Sequence, residues 1–372
     1  MKQQMLPIRV LQVVTYMGRG GLETMLMNYY RHIDRNKVQF DFLVHRDFEA
    51  DYDREIQSLG GRIFHVSRLV PWSKSYRTEL KAFFRAHPEY KIVHVHQDCL
   101  SAVALQCAEE CGVSVRIAHS HNSNQDKNLK YLIKRHYMKQ IPTFATDFFS
   151  CGKTAGDWMF CGHPYQILPN AIDAAEYRFA PETRRAVRQE LGLEDCCVIG
   201  HVGRFHPQKN HVFLLEVFSE CLRINPNARL LLVGGGEGRS ETEAKAYELR
   251  LQGKVIFAGV RSDVNRLLQA MDVFVFPSHY EGLGIAAIEA QAAGLPCVLS
   301  EGVPEEACVT DNVCRISLNE SPQVWAGCIL SQPKTHADTY QQIENAGFDI
   351  STNVRKLQDF YLEQWRVNKC AF

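Results

Sequence analysis

The segment "DVFVFPSHYEGLGIAAIEAQAAG", Asp272–Gly294, decides how the chain is read. Its first part is a short apolar run of β-branched and aromatic residues that stops at Pro277–Ser278, the pattern of a buried strand. Its second part, "GIAAIEAQAAG", has helical length and ends on Gly294, a residue suited to the left-handed turn that closes helices. A strand running straight into a helix is the repeating unit of a parallel sheet. Two carboxylates, Glu281 and Glu289, interrupt this apolar stretch around Gly282, Leu283 and Gly284. Burying a carboxylate without a partner is costly, so either both acids point to water or they face a polar guest.

The same alternation continues on both sides. "IRVLQVVTY", "VQFDFLV", "RIFHV", "KIVHVH", "VRIAHSH" and "FATDFFSC" read as strands, with helical patterns such as "YRTELKAFFRAH" and "SAVALQCAEECG" between them. After "YQILPNAID" the series restarts with "CCVIGHVGR", "ARLLLVGGG", "KVIFAG", "DVFVFPS" and "PCVLS". That is too many strands for one tidy sheet. We therefore expect an α/β chain of two doubly wound halves, residues 1–172 and 173–348, joined in Pro169–Pro181. Residues 349–372 contain "VRKLQDFYLEQWRV", a polar-faced helix with Leu357, Phe360, Tyr361 and Trp365, expected to pack back toward the N-terminal half. Ligands of such folds lie at the carboxyl ends of strands, which places the expected site in a cleft between the halves.

Composition narrows the classes. Of 372 residues, 45% are hydrophobic and 23% charged, the profile of a globular chain. Lys+Arg and Asp+Glu are 42 each, so no overall field attracts nucleic acid or a membrane. No apolar run reaches the ~20 residues of a spanning helix, and "MKQQMLPIRVLQVV" lacks a leader pattern, so a cytoplasmic location is expected. The 13 cysteines form no C-x-x-C pair, and Cys196, Cys197 and Cys297 sit in apolar runs. Free thiols explain this better than disulfides or a zinc site.

Three stretches carry chemistry. The amides of Gly282, Leu283 and Gly284 lead into a helix start, a seat for phosphate. In "GHVGRFHPQKN", Arg204 offers a two-pronged fork and Lys209 a compact charge on a strand-to-helix loop, with Asn210 at the cap position. Together the two cations could neutralise a diphosphate, or they could be ordinary solvated surface. In "TYMGRGGLETMLMNYY", Gly18, Gly20 and Gly21 follow the first strand, but Glu23 stands where a dinucleotide fingerprint needs its third glycine. This loop reads as a turn that lets a ligand approach the backbone.

Gly-Gly-x-Glu near the start, Gly-Arg-x4-Lys-Asn in mid-chain and Glu-x7-Glu late, in that order, resemble the retaining GT-B glycosyltransferases of family 4. The resemblance runs from Ile8 to about Gln364 and is greatest toward the bacterial capsular and exopolysaccharide transferases. It implies a GT-B fold and transfer of a sugar from a nucleoside diphosphate donor, with UDP-sugars favoured, onto a glycan or lipid-linked saccharide, without metal or cofactor. It assigns Glu289 to the nucleotide ribose and Glu281 to donor-sugar hydroxyls. Arg204 and Lys209 would hold the leaving diphosphate with Gly282–Gly284. Gly20 and Gly21 would lie by the phosphates and acceptor, His121 on the acceptor side, and Val260 and Arg261 by the nucleobase. Asn210 departs from the family's usual glycine, a mild change at a cap. His279 and Tyr280 fall where the family varies.

Retention of configuration has two physical routes: a carboxylate nucleophile, or attack on the face the diphosphate leaves, the departing phosphate taking the proton. No second motif acid is evident on the acceptor side, which favours the latter, with His121 orienting the acceptor. His94 with His96, and His119 with His121, could also hold zinc, but no carboxylate or thiol completes the set. "DKNLKYLIKRHYMKQ", with basic residues over 127–139, reads either as a foot on an anionic membrane or as a normally packed helix. Gly234–Gly238 reads as a strand-to-helix turn that could touch the donor. Rival functions are a sugar-nucleotide epimerase of the same architecture and a non-catalytic nucleotide-sugar-binding subunit.

Overall fold

The computed structural model describes residues 6–122 and 129–369. Of the basic segment, Asp126–Asn128, with Lys127, lies outside the described residues. So do Ser123 and Asn124 after His121, Met1–Met5 and Cys370. The chain forms two compact units: one runs to Ala171 and resumes at Ile350, and the other is Ile172–Asp349.

The first unit is built on a seven-stranded sheet in the order β3-β2-β1-β4-β5-β6-β7. The strands are β1 Ile8–Val13, β2 Val38–Val44, β3 Ile63–His65, β4 Ile92–Val95, β5 Val115–Ser120, β6 Asp147–Ser150 and β7 Gln166–Ile167. All pairings are parallel. Alternate residues feed two cores, one on each face: Val10 with Phe40 and Phe42, and Leu11 and Val13 with Leu43 and Val93. The last helix, Ile350–Lys369, lays Val354, Leu357 and Tyr361 into the first of these cores, with Phe360 and Trp365 partly buried against it. The sheet needs that cover because its central strands are apolar on both faces.

The second unit carries a six-stranded parallel sheet, order β10-β9-β8-β11-β12-β13. Its strands are β8 Cys197–Val202, β9 Ala228–Val233, β10 Val255–Gly259, β11 Val273–Phe276, β12 Cys297–Ser300 and β13 Val313–Ile316. The two ends of this unit meet: Ile172 and Asp349 form a parallel bridge, and the Ile172 amide donates to the Phe348 carbonyl at 2.9 Å. The described cysteines are free thiols, and the Cys314 and Cys328 sulfurs approach to 3.0 Å.

Asp272 sets the start of β11, the strand of the Asp272–Gly294 segment. Its carboxylate is buried and accepts from Arg184 at 2.5 Å, Arg188 at 3.3 Å and the Val198 amide at 2.7 Å. Both arginines come from the helix Pro181–Leu191, so one acid ties that helix to β8 and β11. Asp272→Ala strands Arg188, itself 8% exposed, without its carboxylate. We expect a loss of about 3–5 kcal/mol, read by urea unfolding of the variant beside the parent.

Candidate active site

At the carboxyl end of β11 the chain turns through Glu281–Gly284 into the helix Ile285–Ala292. Gly284 caps this helix at φ +84°, a left-handed conformation that explains its identity. Gly294, at φ +75°, closes it, with the Leu295 amide reaching back to Ala290 at 3.1 Å. Both acids of the segment are buried, Glu281 at 5% and Glu289 at 6% exposure. The question of water or guest is thereby narrowed: neither acid lies out in bulk solvent.

The two are satisfied differently. Glu281 takes the Lys209 ammonium at 2.6 Å, and Lys209 in turn lies 4.5 Å over the Phe276 ring. Gln208, which the sequence did not single out, donates to the Tyr280 carbonyl at 2.8 Å and reaches Glu281 at 3.5 Å. Glu289 has no cation among the described residues. It accepts a hydrogen bond from Tyr177 at 3.0 Å, and burial pushes its carboxyl from 4.5 up to about 7, with Tyr177 opposing. Two residues on, Gln291 is fully buried but spends both ends of its amide on Ala287, Ala307, Val309 and Thr310. Gln291 is structural by that measure, whereas Glu289 retains capacity for a ligand. Tyr177 stands 112 residues from Glu289 in sequence, and no local pattern could have linked them.

Arg204 does not join Lys209. Its exposed guanidinium meets Glu237 at 3.0 Å, on the Gly234–Gly238 turn, and that acid is held low by its own backbone amide and by Arg204. The two loops lie backbone to backbone: the Phe205 amide donates to Gly235 at 2.8 Å and the Gly238 amide to Phe205 at 3.0 Å. A Cβ on Gly234, at φ +143°, would stand 2.1 Å from the Gly203 carbonyl oxygen, so only glycine permits the contact. Asn210 occupies the cap of the helix His211–Ile224 at φ +58° and makes no side-chain cap bond. Its tolerance of left-handed backbone, not its capping amide, is what lets it replace glycine. Val260 is 54% exposed, and Arg261 is forked onto Asp263 at 2.7 and 2.8 Å. That guanidinium is committed, leaving the backbone of this loop for any contact.

In the first unit, Gly20 caps the helix Gly21–His32. A Cβ there would lie 2.3 Å from the Glu23 carboxylate, so Glu23 folds back over the helix start. An acid at that end interacts favourably with the helix dipole. His121, just past β5, bonds through Nε2 to His96 Nδ1 at 2.9 Å, and His96 Nε2 meets the Gln12 carbonyl oxygen at 2.9 Å. Burial pulls His121 down to about 3 and His96 well below its ordinary value, so both rings are neutral. With Gln12 accepting, His96 must donate through Nε2 and accept from His121 through Nδ1. His121 is therefore left with a bare lone pair on Nδ1, buried and without a partner among the described residues. His94, His96 and His119 bring nitrogens within 4.8 Å of one another. The His94 nitrogens are engaged by Tyr361 at 2.7 Å and His119 at 3.1 Å.

Two doubly wound parallel units, the second with buried acids and a lysine at its strand ends, define the GT-B class of α/β enzymes. The family of glycosyl transferases group 1 matches residues 183–329. A Bacillus subtilis protein described as the putative glycosyltransferase EpsF is 36% identical over 95% of this chain and 96% of its own. An Escherichia coli UDP-Gal:alpha-D-GlcNAc-diphosphoundecaprenol alpha-1,3-galactosyltransferase is 27% identical over 76% of this chain and 77% of its own. Among solved structures, Anabaena HepE in complex with UDP-glucose superposes with a TM-score of 0.80 at 18% identity, covering 95% of this chain and 99% of that one; it shares the fold. The chain belongs to the group 1 glycosyl transferases. It is a glycosyltransferase.

The raised carboxyl of Glu289 gives a pH signature. Folding lifts its pKa from 4.5 to about 7, so the folded state holds a proton that the unfolded chain releases in that window. Stability contributed by this group is full below about pH 4.5 and falls as pH rises to about 7, by roughly 3 kcal/mol. Glu289→Gln should remove that slope. Urea unfolding of parent and variant at pH 5 and pH 8 checks it, and equal slopes would refute the assignment.

Proposed function

We propose that this chain transfers a sugar, with retention of anomeric configuration and without a metal ion, from a UDP-sugar onto a glycan or lipid-linked saccharide in the assembly of a cell-surface polysaccharide. The part-buried Lys209–Glu281 pair carries this reading. An ammonium and a carboxylate held this close are poised to exchange partners: the diphosphate takes Lys209, and the sugar hydroxyls take Glu281. Glu289, with spare acceptor capacity, receives the ribose hydroxyls. Arg204, exposed on its loop, swings from Glu237 to the phosphates. Two cations and the amides of Gly282–Gly284 supply the positive charge that a divalent ion supplies in other transferases.

In the reaction, the bond between the anomeric carbon and the diphosphate oxygen breaks. The acceptor hydroxyl oxygen bonds to that carbon on the same face, and its proton passes to the departing diphosphate. The Nδ1 lone pair of His121 accepts from a neighbouring hydroxyl of the acceptor and so orients the attacking one, whose proton stays available to the diphosphate. The UDP-Gal and the diphosphoundecaprenol-linked sugar named for the Escherichia coli enzyme support a UDP-linked donor and a lipid-linked acceptor. The helix Leu129–Met138 presents Leu132, 69% exposed, and Ile133 beside Arg135, with Lys139 just beyond its end. No helix among the described residues is long and apolar enough to cross a membrane, and this basic, apolar face is suited to resting on the cytoplasmic surface of one.

Lys209→Ala should lower turnover by roughly 10²-fold, the scale of one preorganised charge partner, and Glu281→Gln should not retain full turnover; both are read as acceptor-dependent UDP release. The chain should bind anionic vesicles, weakly at high salt, and Leu132→Ser with Ile133→Ser should abolish that binding. Vesicle flotation at two salt concentrations decides, and a flat salt response sinks the membrane contact.

A further inference from the structure

Between the joint at Ile172 and the helix Pro181–Leu191 lies a helix of four residues, Ala174–Tyr177. So short a helix has no stability of its own, yet this one is fastened along its length. The Asp173 carboxylate accepts from the Ala175 amide at 3.1 Å, and the Asp349 carboxylate from the Ala174 amide at 3.3 Å. Gln269, 2% exposed, donates to the Tyr177 carbonyl at 3.0 Å and accepts from the Ala180 amide at 3.0 Å. One buried side-chain amide thus fixes the backbone on both sides of Arg178 and Phe179. Arg178 pairs with Asp338 at 2.9 Å and lies over the Tyr340 ring, 5.2 Å from its centre.

This anchored helix brings one hydroxyl to the donor site. Tyr177 donates to Oε1 of Glu289, on the helix Ile285–Ala292, at 3.0 Å. Glu289 Oε2 makes no hydrogen bond among the described residues and is not sealed from solvent, the residue keeping 6% of its surface open. The last torsion of a glutamate is broad, so its carboxylate has no fixed direction until one oxygen is held. Tied at Oε1, Glu289 presents Oε2 in a set direction to whatever enters. The tie also keeps it an acceptor, because burial favours the protonated form and the Tyr177 hydrogen bond opposes that. Ribose hydroxyls need such an acceptor, and an ionised carboxylate offers only acceptors.

We infer that Tyr177 is a positioning residue for the nucleotide ribose: it holds Glu289 by one oxygen so that the other meets a ribose hydroxyl, and it thereby sets the preference of the site for ribonucleotides over their deoxy forms. This rests on the reading of Glu289 as the ribose-binding acid, and it adds the group that aims that acid.

Calorimetric titration of the full chain with UDP, 2′-deoxy-UDP and 3′-deoxy-UDP tests it, at pH 8, above the Glu289 value of about 7. The parent should bind UDP roughly tenfold more tightly than at least one deoxy analogue, the scale of a hydrogen bond to a charged group. Tyr177→Phe, which keeps the ring, should shrink that ratio about threefold or more, chiefly by weakening UDP. In a Glu289→Gln background the ratio should be small and Tyr177→Phe should leave it unchanged, the non-additivity of two residues that act through one contact. Gln269→Met, which releases the Tyr177 backbone but leaves its hydroxyl, should shrink the ratio in the same direction, and it decides the matter should Tyr177→Phe not fold. A ratio that survives these substitutions overturns the inference, as does an equal effect of Tyr177→Phe with and without the Glu289 carboxylate. A parent that binds all three nucleotides alike, or a Glu289→Gln variant that keeps the parent's ratio, instead defeats the ribose reading of Glu289 and takes the inference with it.

Discussion

The Lys209 ammonium and the Glu281 carboxylate lie 2.6 Å apart, the first partly and the second almost wholly withdrawn from solvent. Removing two charges from water is expensive, and a close pair recovers the cost only with good geometry and further hydrogen bonds. The surroundings provide them. Gln208 bonds to Tyr280, its own carbonyl accepts from the His279 amide at 2.8 Å, and Phe276 lies under the ammonium. Two loops some 70 residues apart in sequence are thus held as one surface, and the acid and base that keep them there are those assigned to the donor. Structural and chemical demands fall on the same atoms.

The first unit manages polar groups by the opposite device. Four histidines stand at the ends of β4 and β5, three of them buried outright, and none carries charge, because burial lowers every one of them. They bond in pairs, His94 with His119 and His96 with His121, and are oriented by Tyr361 on His94 and Gln12 on His96, while His119 Nε2 and His121 Nδ1 have no partner among the described residues. A neutral relay of this kind fixes tautomers instead of holding charge, which suits a surface that must place a hydroxyl but not ionise it.

Much of the architecture was legible because parallel strands covered on both faces read as unbroken apolar runs. The two strands that escaped, β7 and β13, have no such run. β7 is two exposed residues, and β13 carries Arg315 at the sheet edge with partly exposed neighbours. In the site, residue types and loops were readable, but directions were not. Arg204 and Lys209 share one loop yet face different acids, since side-chain direction depends on the left-handed turn at Asn210 and on the glycine contacts of the β9 loop. Tyr177 and Gln208 were invisible for a related reason: their partners, Glu289 on a helix and Tyr280 in a loop, stand 112 and 72 residues away, and no short motif records them.

The parallel bridge between Ile172 and Asp349 has a further meaning. The second unit leaves and rejoins the chain at one spot, as a cassette inserted before the final helix, which completes the first unit's core. Recombination between relatives could exchange the whole cassette through two neighbouring splice points, disturbing neither hydrophobic interior. On the proposed assignment of the donor to the second unit and the acceptor to the first, such an exchange would bring in a new activated sugar while keeping the old recipient.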